Sequence, residues 1–84
     1  MLPTKVVITY CIHCHYGPRA FKLASALLEG WPSAIESLTL VPSDGGIFDV
    51  EVDGELIFSK AAAGRHAEPG EVEDVFVSRM KNQF

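Results

Sequence analysis

Apolar residues run almost unbroken from Val6 through Val7 and Ile8 to Tyr10 near the start of the chain. Such a β-branched run predicts a strand over about Thr4 to Tyr10, with Val6, Ile8 and Tyr10 on one face and Val7 and Thr9 on the other. Both faces carry apolar side chains, so burial on both is expected, as in a central or parallel strand. The period then lengthens. Phe21, Ala24, Leu27, Leu28 and Trp31 recur at helical spacing, predicting a helix from Pro18 to Leu28 that buries them and turns Arg19, Lys22, Ser25 and Glu29 outward. Pro18 suits a first helical turn, and Gly30 and Pro32 stop the helix.

Ile35 to Leu40 reads as a second strand with Leu38 and Leu40 on one face, and strand–helix–strand implies a right-handed parallel unit. Pro42-Ser43-Asp44-Gly45-Gly46 has the composition of a loop. Ile47 to Val52 alternates as a third strand, Asp53-Gly54 is a hairpin signal, and Leu56-Ile57-Phe58 continues as a fourth. Lys60 to Gly70 reads as an Ala- and Gly-rich loop. A closing helix from Glu71 to Met80 would bury Val72, Val75, Phe76 and Met80, with Glu71, Glu73 and Asp74 at its positive end. The order β-α-β-β-β-α predicts an α/β (α+β) protein, a mixed four-stranded sheet with two helices. At 84 residues the chain is expected to be one domain, 1–84.

Charge narrows the partners. The net charge is −4 and the seven Lys and Arg are scattered, so no nucleic acid is expected as a partner. The apolar runs fall far short of the ~20 residues of a membrane span, so no membrane is expected either. Met1-Leu2-Pro3 shows no basic segment followed by an apolar one, and a cytoplasmic protein is expected. The oligomeric state stays open; the second strand, if at a sheet edge, offers a pairing surface.

The chemistry concentrates where the first period ends. Cys11 and Cys14, the only cysteines, stand between strand and helix. A close pair in a reducing compartment points to redox or metal chemistry rather than to a structural staple. The second sulfur lies within bonding reach, and the helix N-terminus favours a thiolate. His13, between them, either tunes thiol acidity as an imidazolium or is a solvated loop histidine. Cys11, His13, Cys14 and His15 carry zinc-compatible atoms, but four ligands within five residues are badly placed around a tetrahedral ion, so neither metal nor cofactor is expected. Trp31 and Phe21 read as core residues.

Three stretches together resemble the SelT/SelW/SelH family, and within it the small selenoprotein W-like proteins: Val7-Ile8-Thr9-Tyr10-Cys11-Ile12-His13-Cys14; Gly45-Gly46-Ile47-Phe48-Asp49-Val50 with Asp53-Gly54; and Ile57-Phe58-Ser59-Lys60 leading to Gly64-Arg65. The resemblance spans nearly the whole chain and implies a thioredoxin-like fold and a thiol redox role. The family's selenocysteine position is here Cys14. By the geometry of thioredoxin-like proteins Cys11 is the more exposed sulfur and the expected nucleophile, with Cys14 resolving, although the family's selenium at the second position leaves that order open. Thioredoxins carry a cis-proline facing the pair; here Gly46 falls there. A glycine permits close backbone approach without proline's rigid geometry, favouring glutathione or a restricted set of thiol or disulfide proteins as partner. Tyr16 and the Gly45 and Gly46 amides are candidate substrate contacts, and Arg19 and Lys60 are candidates for glutathione carboxylates. The expected function is therefore a small cytosolic thiol–disulfide protein, glutathione-linked or antioxidant. The alternative is a redox-gated binding module, using the Ala61-Ala62-Ala63-Gly64 loop and the helix near Pro18, without turnover.

Overall fold

Alternation along one strand sets the architecture. The computed structural model describes residues 4–68 and 70–81, apart from the side chains of residues 80 and 81, so the expectations for Met1-Leu2-Pro3 and for the Met80 side chain lie outside the described residues. The elements are β1 (Thr4–Cys11), α1 (Gly17–Gly30), β2 (Ile35–Ser43), β3 (Phe48–Val52), β4 (Glu55–Ser59), α2 (Lys60–Ala63) and α3 (Glu71–Lys81). The sheet order is β2-β1-β3-β4. β1 is central, parallel to β2 and antiparallel to β3, and β4 closes the hairpin on β3.

Val6, Ile8 and Tyr10 stand opposite Val52, Val50 and Phe48, and all six are buried. Both long helices cover this one face. Ala20, Ala24 and Leu27 of α1 and Val72 and Phe76 of α3 join its core, and Trp31 meets Phe76 edge-on at 5.4 Å between ring centroids. The other face differs from expectation: Val7 and Thr9 are only half-buried, and Lys5, Ser37, Thr39 and Val41 are exposed. Among the described residues no helix packs there, so β1 is central without being buried on both sides.

Other departures have local causes. α1 buries Ala20, Ala24 and Leu27, while Phe21 and Leu28 remain 52% and 43% exposed. Two alanines let the helix approach the sheet closely, and that choice rotates Phe21 to the rim, where it meets Tyr10 edge-on at 6.1 Å. β2 runs on through Pro42 and Ser43, both expected in a loop. An edge strand tolerates a proline because only one side of it is paired. Lys60 to Ala63 form a short helix rather than a loop. Ser59 caps it by accepting the Ala62 N–H, and Gly64 ends it at φ 75°. In α3, Val72 and Phe76 are buried but Val75 is 37% exposed.

The Asp53-Gly54 turn has φ 53° and 84°, the left-handed pair of a two-residue hairpin. The Asp53 carboxylate accepts the Lys5 N–H at 2.9 Å and the Thr4 hydroxyl at 3.0 Å, tying the hairpin to the start of β1. The entry to α3 is fixed by Glu71, which takes both guanidinium arms of Arg65, at 2.7 and 3.0 Å, and the Glu68 N–H at 2.8 Å. The Arg65 hydrogen bonds foremost, with the Glu68 N–H, lower the Glu71 carboxyl from 4.5 to about 2. A depressed carboxyl contributes stability that is present above its unfolded pKa and lost as pH falls through the folded one. Folding stability should therefore fall as pH drops from about 4.5 to about 2, and Arg65→Ala should flatten that segment of the profile. Equal slopes for the two proteins in pH-dependent urea melts would remove this role.

Candidate redox site

Cys11 is the last residue of β1, so the ladder fixes it. Its N–H donates to the Ile47 carbonyl at 2.9 Å, and the next amide, Ile12, donates to Ser43 at 3.0 Å. The chain then turns through residues 12–15. His15 takes a left-handed φ of 59°, a conformation histidine tolerates better than most residues, and α1 begins at Gly17 with Pro18 in its first turn. Cys14 lies on the turn. The two Sγ atoms are 2.8 Å apart, and both cysteines are free thiols.

The pair is unequal, in the sense opposite to expectation. Cys11 is 1% exposed, whereas Cys14 is exposed. The cause is the ladder: Cys11 is held in the sheet end, paired with Ser43 of β2 on one side and bonded to Ile47 on the other, while Cys14 lies on the turn that follows. The thiols are also electrically unequal. The Cys14 hydrogen bond foremost, aided by backbone N–H groups of Gly46, His13 and Cys14, pulls the Cys11 thiol below its ordinary value against the opposing effect of burial. The same hydrogen bond pushes Cys14 up, reinforced by loss of hydration and by the negative charge on Cys11; the Gly46 N–H and the Lys60 charge offset part of this. Within the dithiol, Cys11 is therefore the more acidic thiol and Cys14 the less acidic one. The amides facing Cys11 come from its own loop and from Gly46, not from the first turn of α1.

Gly45 and Gly46 take φ 74° and 77°, two successive left-handed residues, and the Gly46 N–H favours the charged form of both thiols. A Cβ at Gly46 would meet nothing within 4 Å, so a larger residue is opposed by backbone conformation, at about 1–2 kcal/mol, rather than by crowding. A proline at this position would have no N–H to give.

The other predicted residues divide. Tyr16 is half-buried beside the pair, edge-on to Phe48 at 6.4 Å and to His66 at 4.5 Å, with the Lys60 ammonium 5.8 Å from its ring centroid. The His13 imidazole is exposed, and its contact with the pair is through its backbone N–H. His15 and Arg19 are exposed. Among the described residues no three His, Cys, Asp or Glu side chains are grouped to hold a metal ion. Sequence reasoning missed His66. Burial foremost, then the positive charges of Arg19 and Lys60, hold its imidazole below the usual range. A lone histidine in a loop gives no sequence signal for such a place; only the fold brings it to Tyr16.

Lys60 is the cation shared by Cys14, Tyr16 and His66. Lys60→Met should shift the alkylation-rate profile of Cys14 to higher pH, and added salt should produce part of the same shift in the unmodified protein. Superimposable profiles for the two proteins would show that the charge does not reach the sulfur.

A dithiol at the end of the central strand, before a helix, on a four-stranded mixed sheet, defines a thioredoxin-like protein with a two-cysteine centre. The model of the Rdx family matches residues 5–76, and the chain belongs to that family. It is similar to migration and invasion enhancer 1 of Bos taurus, with 36% identity over 61 residues, covering 71% of this chain and 50% of the relative. The Mus musculus protein of the same name is 37% identical over 60 residues, covering 70% and 50%. The chain thus spans about half the length of the curated relatives it matches. Among solved structures, a selenoprotein W-related protein from Vibrio cholerae superposes with a TM-score of 0.80 at 26% identity, covering 95% of each chain. A protein from Bordetella parapertussis superposes with a TM-score of 0.87 at 25% identity, covering 92% of this chain and 98% of that one. The family indicates a redox-related function. Among the described residues no helix is long and apolar enough to cross a membrane.

Proposed function

We propose that the protein is a small cytosolic thiol–disulfide redox protein that exchanges with glutathione or with a thiol or disulfide protein through Cys11 and Cys14. The observation that carries this is the pairing of one exposed and one buried sulfur 2.8 Å apart. The accessible sulfur is the one a bulky partner contacts, and the sulfur with the lower pKa is the better leaving group. In the reduction of the protein disulfide, a glutathione thiolate attacks Cys14 Sγ, the Cys11–Cys14 bond breaks, and Cys11 departs as thiolate. A second glutathione thiolate attacks the glutathione sulfur of the mixed disulfide, releasing Cys14 and glutathione disulfide. In the oxidising direction, proton transfer from Cys14 to Cys11 across the pair frees the Cys14 thiolate, which attacks glutathione disulfide and expels one glutathione. Cys11, its proton lost, then attacks Cys14 Sγ and expels the second. The roles first expected for the two cysteines are thereby exchanged.

The test is to equilibrate the protein in graded glutathione buffers, quench with acid, and weigh and map the products. The expected result is a disulfide in equilibrium near the cytosolic poise, roughly −220 to −320 mV, passing through a glutathione adduct on Cys14. Two thiols that neither oxidise nor take up glutathione over this range would overturn the reading. That outcome would favour a redox-gated binding module, for which the 51% exposed Ile12 between the cysteines supplies a surface that disulfide formation would move.

A further inference from the structure

A cleft of about 270 Å³ opens between α1, β3 and the segment entering α3. Leu23, Ala26, Phe48, Ala67 and Val72 supply its apolar lining. The α1 side carries Arg19 and Lys22, three residues apart and so neighbours on the helix surface; the side of the segment entering α3 carries Glu68 and Glu73. Among the described residues no ion pair joins the lips, and none of these four side chains forms one elsewhere. The lips therefore present opposite charges across a gap that the protein leaves unbridged. At one end His66 lines the cleft, and its ring is 4.5 Å from Tyr16, which stands two residues after Cys14. The volume lies just under the usual range for drug-sized ligands, which restricts an occupant to a small molecule.

A ligand complementary to this shape is short, carries carboxylate and ammonium at separate ends, and has a modest apolar middle. We propose that the cleft seats the charged termini of a small zwitterionic thiol peptide, carboxylate against Arg19 and Lys22 and ammonium against Glu68 and Glu73, so that its sulfur passes Tyr16 to reach Cys14. This rests on the thiol–disulfide reading and adds to it the place where the substrate is held. An extended peptide spans about 3.3–3.6 Å per residue, so a tripeptide puts about 10 Å between its termini, a span for reaching both lips while the side chain of its middle residue, which carries the sulfur, faces the His66 end of the cleft. Holding the termini before exchange raises the local concentration of thiol at Cys14 without any new chemistry.

The experiment uses S-methylglutathione, which has the termini of glutathione and no free thiol, titrated into the reduced protein and followed by amide and imidazole NMR. Saturable shifts at His66, Tyr16 and the cleft lips in the millimolar range are expected. The double variant Arg19→Glu with Lys22→Glu, and separately Glu73→Lys, should each weaken binding by about tenfold, whereas Lys5→Glu on the bare sheet face should not. No saturable shift, or binding unaffected by either charge reversal, would overturn the proposal. Glutathione disulfide is applied in parallel to the same proteins. Modification of Cys14 without a cleft response removes only the seat. If Cys14 is never modified, the thiol–disulfide reading falls even where the analogue binds.

Discussion

Cys14→Ser should remove essentially all glutathione mixed-disulfide formation, whereas Cys11→Ser should accumulate it as a stable product. The asymmetry follows from exposure. Cys11 is 1% exposed at the end of β1, and no bulky disulfide can align with its sulfur for in-line attack while the ladder holds it. The serine in Cys14→Ser still offers an O–H in place of the S–H, so Cys11 keeps a hydrogen-bond partner but remains covered. In Cys11→Ser the exposed thiol survives, and no second sulfur is left to displace glutathione from it. A change in pH dependence should accompany the trap. The hydrogen bond to Cys11 and the charge on that sulfur hold Cys14 above its ordinary value, so Cys11→Ser should move the Cys14 alkylation profile to lower pH. Intact mass after exposure to glutathione disulfide decides the first point, and iodoacetamide rates across pH decide the second. A glutathione adduct on Cys11 in the Cys14→Ser protein would sink the assignment of roles.

The sequence made the position of this centre legible and left its polarity hidden. A β-branched run, two cysteines and a proline-initiated helix follow one another along the chain, and each is a local signal. The hairpin at Asp53-Gly54 is equally local, because that dipeptide favours the two left-handed residues the turn requires. Which sulfur faces solvent is decided elsewhere. It depends on β1 pairing through Cys11 itself, with Ser43 on one side and Ile47 on the other, contacts between residues more than thirty positions apart. The same applies to His66, which reaches Tyr16 only when the segment entering α3 folds back against α1. Two misreadings had different origins. Ser59 and Gly64 bracket α2 with ordinary cap residues, so that short helix was present in the sequence and outweighed by its alanine- and glycine-rich appearance. Around α1, the stripes containing Phe21 and Ala20 lie one position apart, and periodicity cannot choose between them; the sheet selects the smaller residues because they allow closer packing.

Phe76→Ala should be the most damaging single truncation outside the redox centre, costing about 3–5 kcal/mol. Phe76 is 0% exposed and is the bulkiest of the fully buried side chains among the described residues. It lies in the cluster that joins α1, α3 and the inner face of the sheet, and its edge contact with Trp31 is one bond between the helices. At the usual 0.05–0.15 kcal/mol per residue, a chain of this length has roughly 4–13 kcal/mol of stability in all, so the loss would take much of it. Trp31, the sole tryptophan, reports the change directly, since its ring packs on the residue removed. Urea melts followed by Trp31 fluorescence should show a much lower midpoint with a similar slope. A midpoint shift worth less than about 1 kcal/mol would mean that the core closes over the cavity, and that the two helices are held on the sheet by contacts other than this one. The redox pair offers a further discrimination. β1 shares the core with Phe76, but Cys11 and Cys14 are held locally by the backbone bonds of Cys11 to Ile47 and of Ile12 to Ser43 and by their own turn. In the fraction of Phe76→Ala protein that remains folded, the difference in alkylation rate between Cys14 and Cys11 should therefore persist, separating loss of fold from loss of site.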